Sequence, residues 1–257
     1  IEYEAYESDV TVTACPPIVD AEHRVCDRPA ADHTTTHERH ERVTRTWNTA
    51  KKIHNSLKTN VATAFPFVET AGGGYGIALA LRTLLPGRVY DALTAADDAV
   101  PSHHEFCAPT LDRDTANGDA TPPGLTLDEQ VEYAAAAFEL MGWETFARVV
   151  VFAGHASQTA NNPFGSSLDC GACAGNPGGP SARVLAAVCN DEAVRDALRD
   201  RGFDVPDDTV FVAGEHNTTT DEVALYAEGV PESHREDVDA LRADLATARA
   251  GAAAERA

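Results

Sequence analysis

Arg148-Val149-Val150-Val151-Phe152-Ala153-Gly154-His155 is the stretch whose reading decides the fold. A short, unbroken, β-branched apolar run of this kind predicts a strand covered on both faces, the hallmark of a parallel sheet. A second such run follows at Thr209-Val210-Phe211-Val212-Ala213-Gly214. Between the two lie helical patterns over Pro180–Cys189 and Asp191–Arg201, split near Asn190. Strand, helix, strand is the grammar of a crossover connection, so the expected fold class is α/β, a parallel-sheet core with crossover helices and long polar insertions. His155 then falls at or just past the C-terminal end of its strand, the edge where ligand sites form in open α/β sheets.

Outward from this core the pattern is less regular. Glu2 to Ala14 reads as an edge strand entering a loop at Cys15-Pro16-Pro17, and Arg24 to Ala31 as a polar linker. Asp32 to Thr59 reads as one long helix, with Asp32 as candidate N-cap and Val43, Trp47, Ala50, Ile53, His54 and Leu57 at helical spacing. Gly72-Gly73-Gly74 precedes a short helix near Tyr75 to Leu85, and an irregular, Pro-punctuated insertion is expected over about 86–125. Thr126 with Glu129 forms a capping box that opens a helix to Gly142, and Glu232 to Ala257 reads as a terminal helix. Residues 1–257 are thus expected to form one α/β domain or the C-terminal part of one. Ile1 at the start and a helix running into Ala257 add the expectation of a piece of a longer protein.

The 257 residues carry a formal charge of −21, with 41 acidic against 20 basic side chains. The only lysines are Lys51, Lys52 and Lys58. An acidic surface almost without lysine suits a salt-rich cytoplasm, where screening tames self-repulsion, so a halophilic source is expected. The same charge excludes a nucleic-acid partner, which needs basic groups to displace counterions. No apolar run approaches the eighteen or so residues of a membrane helix, so the expected chain is soluble or peripheral.

The polar residues that could carry chemistry gather after the first buried strand. Cys170 follows His155 by fifteen residues, at the end of a Gly- and Asn-rich loop, between Asp169 and Gly171. An imidazole and a thiolate on loops above one sheet edge are two of the ligands zinc prefers. Cys170-Gly171-Ala172-Cys173 is also a Cys-x-x-Cys, which admits a dithiol redox pair or half of a four-cysteine zinc site. Gly178-Gly179-Pro180 opens a helix and reads either as an anion cradle for a group such as bicarbonate or as a tight turn with proline in the first turn. His33, His37 and His40 share a helical face that reads as solvated, and His216 at the second strand's end reads as a pocket residue. Gly72-Gly73-Gly74 lacks the Gly-Lys-Ser/Thr of a phosphate loop.

Gly154-His155, Asn161-Asn162-Pro163, Leu168-Asp169-Cys170-Gly171-Ala172-Cys173 and Gly178 through Ala186 closely resemble the signature block of the DabA family. Asn217-Thr218-Thr219-Thr220-Asp221 is similar to a later block of that family, with weaker matches at Cys15-Pro16 and Phe65 to Gly72. The resemblance implies a large cytoplasmic subunit of an energy-coupled inorganic carbon pump, related to β-type carbonic anhydrases and expected to share their fold. It implies Zn2+ as cofactor, with His155 and Cys170 as metal ligands, and a second cysteine and an aspartate from a Cys-x-Asp. This chain has no Cys-x-Asp: Cys26-Asp27 is adjacent, Cys107-Ala108-Pro109 lacks the acid, and Cys189-Asn190-Asp191 falls in a helical stretch. Either a segment preceding Ile1 carries that half of the implied site, with the aspartate–arginine pair that gates it, or the gene product is degenerate or split. The implied function is vectorial hydration of CO2 to bicarbonate at the cytoplasmic face of the cell membrane, beside a membrane-embedded antiporter-like pump subunit of the DabB type. A stand-alone carbonic anhydrase-like lyase and a non-catalytic Cys-x-x-Cys redox or scaffold module remain as alternatives.

Overall fold

A computed structural model describes residues 1–8, 11–14, 18–97, 99–113, 123–157, 171, 173 and 175–256. The chain divides into two compact units, one of residues 1–28 and 107–257, the other of residues 29–106.

The first unit holds two sheets. Strand β5 (Val149–Ala156) pairs in parallel with β6 (Val210–Asn217), in a register that sets Val151 against Val212 and His155 against His216. The expected parallel pair is therefore present, connected through helices α5 (Gly179–Asn190) and α6 (Glu192–Asp200). The sheet is not parallel throughout, because β7 (Glu222–Tyr226) turns back at Thr218–Asp221 and pairs antiparallel with β6. Alternation along β6 serves two cores. Phe211 and Ala213 pack with Phe138, Phe152 and Val188 under α4 (Leu127–Met141) and α5, while Val212 packs with Leu225 and Val238 under α7 (Arg235–Arg256). Phe152 and Phe211 stack at 5.6 Å across the strand pair. Fully burying side chains of this size stabilises the fold by about 1.5–3 kcal/mol each.

Helix starts follow their local chemistry. The Thr126 hydroxyl accepts from the Glu129 amide while Glu129 reaches back to the Thr126 amide, and Gly142 ends the helix in the left-handed region at φ 67°. Asp191 caps α6 by accepting from the Val194 amide at 3.1 Å, which explains the split near Asn190.

The second sheet has the order β2-β1-β3-β4, from β1 (Glu2–Glu4), β2 (Thr11–Thr13), β3 (Arg24–Pro29) and β4 (Cys107–Pro109). It corrects the sequence reading twice. The expected single edge strand is an antiparallel β1–β2 pair, and the expected linker at Arg24–Ala31 is the interior strand β3, with Val25, Cys26 and Asp27 buried. Both sheets are mixed, so the α/β class stands and a wholly parallel core does not.

The second unit is helical. Helix α1 (Thr34–Thr59) and α2 (Ala64–Leu84) are joined by a short turn in which Asn60 Oδ1 accepts from the Ala62 amide. Its start is not capped by Asp32: His33 holds that position, with no side-chain bond to the helix. Helix α2 runs through Gly72-Gly73-Gly74, where a break is expected, and α3 (Pro86–Asp97) occupies the start of the stretch expected to be irregular. His40 is buried, donates through Nδ1 to the Pro101 carbonyl at 2.7 Å and packs on Phe106, so this part of the histidine face is not solvated.

Candidate metal centre and the buried arginine beside it

His155 is the seventh residue of β5 and is carried to the C-terminal edge of the parallel pair. The strand reaches α5 by an unusually close approach. The Gly178 amide donates to the His155 carbonyl at 2.9 Å, and a Cβ on Gly178 would stand 2.8 Å from both the Gly154 Cα and the His155 nitrogen. Both contacts are backbone and cannot yield, which is the physical reason for glycine at 154 and at 178. Gly178→Ala is expected to lower stability by about 1–3 kcal/mol. A shift of the urea midpoint below that range would show that strand and helix can separate.

The imidazole has a sulfur neighbour. His155 Nε2 and Cys173 Sγ lie 3.5 Å apart, with Cys173 buried and His155 exposed. For a tetrahedral zinc with N and S ligands at about 2.05 and 2.3 Å, the expected N···S edge is about 3.5 Å. The separation of the two atoms therefore matches that edge. Cys173 is disulfide-bonded, a state in which its sulfur cannot ligate as a thiolate. Cys170, Asp169 and Asn161-Asn162-Pro163 lie outside the described residues.

The rim of this edge carries further polar groups. His216, beside His155 in the ladder, lies 3.6 Å from Asp221, which also pairs with Arg256 and holds a left-handed φ of 55°. Glu215 fills the space at the start of α5: a Cβ on Gly179 would meet its Oε2 at 2.5 Å and the Tyr226 hydroxyl at 3.2 Å. A carboxylate beside a helix N-terminus complements its dipole, so the tight-turn reading of Gly178-Gly179-Pro180 has the direct structural support. Burial pushes the Tyr226 phenol up to about 12, with the Glu215 charge adding to it.

Sequence reasoning missed the ion pair between Arg183 and the buried Asp27. Arg183, on the second turn of α5, donates to Asp27 Oδ2 and to the Tyr3 hydroxyl, both at 2.6 Å, and to the Cys107 carbonyl at 2.7 Å. It thereby joins α5 to β1, β3 and β4. Asp27 is fully enclosed, and its Oδ1 has no hydrogen-bond partner among the described residues. Burial opposes the Arg183 charge, but the Asp27 bond and neighbouring negative groups carry its pKa above the usual arginine value. The only signal in the sequence was a lone acid, Asp27, in an apolar-flanked Val25-Cys26 context.

Burial also pushes the Cys189 thiol, at the end of α5, up to about 12. A group whose neutral form the fold favours contributes stability that is complete below its unfolded value and lost as pH rises through the folded one. The window here runs from about pH 9 to 12. Urea midpoints should fall across its lower half, and Cys189→Ala should flatten that fall. An unchanged slope in the variant would remove Cys189 as the cause.

The fold and edge define a mixed α/β protein with a histidine nitrogen and a cysteine sulfur 3.5 Å apart at the C-terminal end of a parallel strand pair. The chain belongs to the DabA family, whose model, described as "Probable inorganic carbon transporter subunit DabA", matches residues 1–257. Relatives of that name include those of Haloarcula marismortui, 62% identical over the whole of this chain, Natronomonas pharaonis at 60%, and Salinibacter ruber at 51%. The chain spans about a third of the length of these relatives, 32%, 31% and 32% respectively. No solved structure matches. No described helix is long and apolar enough to cross a membrane.

Proposed function

We propose that this chain contributes part of a zinc site for vectorial hydration of CO2 to bicarbonate within an inorganic carbon transporter. The observation that supports the reading is His155 at the C-terminal end of β5 with Cys173 Sγ 3.5 Å from its Nε2, which sets the Cys-x-x-Cys segment beside the imidazole. His155 and Cys170 are the ligands, and the remaining cysteine and aspartate come from polypeptide outside this chain. Zinc, when bound, supplies hydroxide near neutral pH by lowering the pKa of its water. The work of this chain's residues is to hold the ligands. The Gly154–Gly178 approach fixes where His155 leaves the strand, and Arg183 anchors α5 behind it. Glu215 and His216 give the same edge polar groups through which a proton could leave toward solvent.

The subunit works as a peripheral protein on the cytoplasmic face, beside a DabB-type membrane partner that drives the reaction in one direction. With only part of the ligand set, this chain alone hydrates no CO2 and binds zinc weakly. The test is the full-length subunit co-expressed with its membrane partner in cells lacking other carbonic anhydrase. Growth at ambient CO2, lost with His155→Ala and accompanied by loss of one zinc per subunit, is the expected result. Growth that survives without zinc overturns the reading. The disulfide-bonded Cys173 favours one alternative, a thiol-redox module. In that case reductant would change activity while the metal content stayed near zero.

A further inference from the structure

The second unit carries a surface that does not match the rest of the chain. The protein as a whole has 41 acidic residues in 257, yet residues 42–88 contain a single one, Glu69, against seven basic residues that include all three lysines. This stretch also presents large apolar side chains outward: Trp47 and Ile53 on α1, and Phe65, Ile77, Leu79 and Leu84 on α2. Phe65 is 71% exposed and Leu84 76%. Within the unit, α1 and α2 meet around His54, which bonds the Tyr75 hydroxyl at 2.6 Å and packs edge-on against Phe67. A Cβ added at Gly72, Gly73, Gly74 or Gly76 would meet nothing within 4 Å.

Large apolar side chains exposed in such number on two packed helices mark an interaction site. In a protein that keeps itself soluble by acidic charge, a stretch almost without acids is one that solvent does not face. The positions on α2 decide the kind of occupant. At 100° per residue, Phe65, Phe67, Val68, Ile77, Leu79, Leu81 and Leu84 fall on every side of the helix. A helix lying in a bilayer surface needs one apolar and one polar face, whereas one apolar all round is enclosed by protein or spans a membrane; no described helix is long and apolar enough to span one. The length of the relatives supplies the enclosing protein, since each continues for about twice the span of this chain.

We infer that the α1–α2 hairpin is a docking element, enclosed by apolar helical surface with an acidic rim from the part of the same subunit that this chain does not span. The acidic rim meets Arg42, Arg45, Lys51, Lys52 and Lys58 of α1, and the apolar helices cover α2. The four glycines of α2 allow a neighbouring backbone close approach.

Hydroxyl-radical footprinting of the purified full-length subunit, without lipid or partner, tests this. Phe65, Tyr75 and Leu79 should be modified about tenfold more slowly than in the urea-unfolded subunit, the contrast between enclosed and open side chains. Modification at the unfolded rate overturns the inference. So does protection that arrives only with phosphatidylglycerol vesicles, only with the membrane partner, or only at concentrations where the subunit dimerises. Leu79→Asp should release a larger fragment from the hairpin on limited proteolysis, whereas Leu79→Met should leave the pattern unchanged. Equal patterns for both variants would also overturn it.

Discussion

Arg183→Ala is expected to lower the unfolding free energy of the full-length subunit by about 3–5 kcal/mol, the cost of leaving a buried charge uncompensated. The partner left behind is Asp27, whose side chain is 2% exposed, and whose second oxygen has no partner among the described residues. The same truncation strands the Tyr3 hydroxyl and the Cys107 carbonyl. Three strands lose their tie to α5 at once, so the loss should appear as a lower urea midpoint and as exposure of Cys26 and Cys107 to alkylation. Burial pushes the Cys107 thiol up to about 12 in the intact fold, which keeps it inert until the sheet opens. Asp27→Leu combined with Arg183→Met should recover most of the loss, because two apolar groups of similar volume leave nothing unpaired. A single-variant loss below about 1 kcal/mol would place Arg183 among surface ion pairs instead.

The second large effect concerns the metal. In the full-length subunit, Cys170→Ala should abolish stoichiometric zinc. Cys173→Ala should weaken retention by about 10–100-fold, as removal of a group that orients a ligand does. The structure makes this a sharp comparison, because it is Cys173 whose sulfur stands 3.5 Å from His155 Nε2. Metal analysis after dialysis against a chelator separates the outcomes. Complete loss in Cys173→Ala with retention in Cys170→Ala would move the ligand three residues along. Complete loss in both would show the Cys-x-x-Cys binding as a unit, and retention in both would leave the pair outside the metal's ligands.

Much of the first unit was legible in the sequence because its elements are local in origin. Val149–Ala153 and Val210–Ala213 are apolar without alternation, which predicts two-sided cover, and they do pair in parallel. The Thr126–Glu129 box and the Asp191 cap act over three residues, within reach of pattern reading. His155 was placed at the correct edge because the strand that carries it was readable.

Where the reading failed, the deciding partner was distant. Arg24–Pro29 looked like a linker because it holds three charges in six residues. Each is answered from elsewhere: Arg24 and Arg28 by Glu4, and Asp27 by Arg183, 156 residues away. No periodicity records such a pairing, so a buried strand reads as a polar one. The antiparallel β7 was missed because its turn, at Thr218–Asp221, depends on a left-handed Asp221 that also holds Arg256. Helix α2 runs across three glycines because its amides keep their i−4 carbonyls, which local propensity alone disfavours.

The sequence by itself therefore determined the chemistry on offer: an α/β core, an imidazole at a strand edge, a pair of cysteines beyond it, and a DabA signature block matched along the whole chain. Only the tertiary structure decided which groups meet. It set Gly154 against Gly178, brought a sulfur to His155, and buried Asp27 under Arg183. Periodic burial is written residue by residue, whereas a contact between distant charges or between two backbones exists only once the chain has closed on itself.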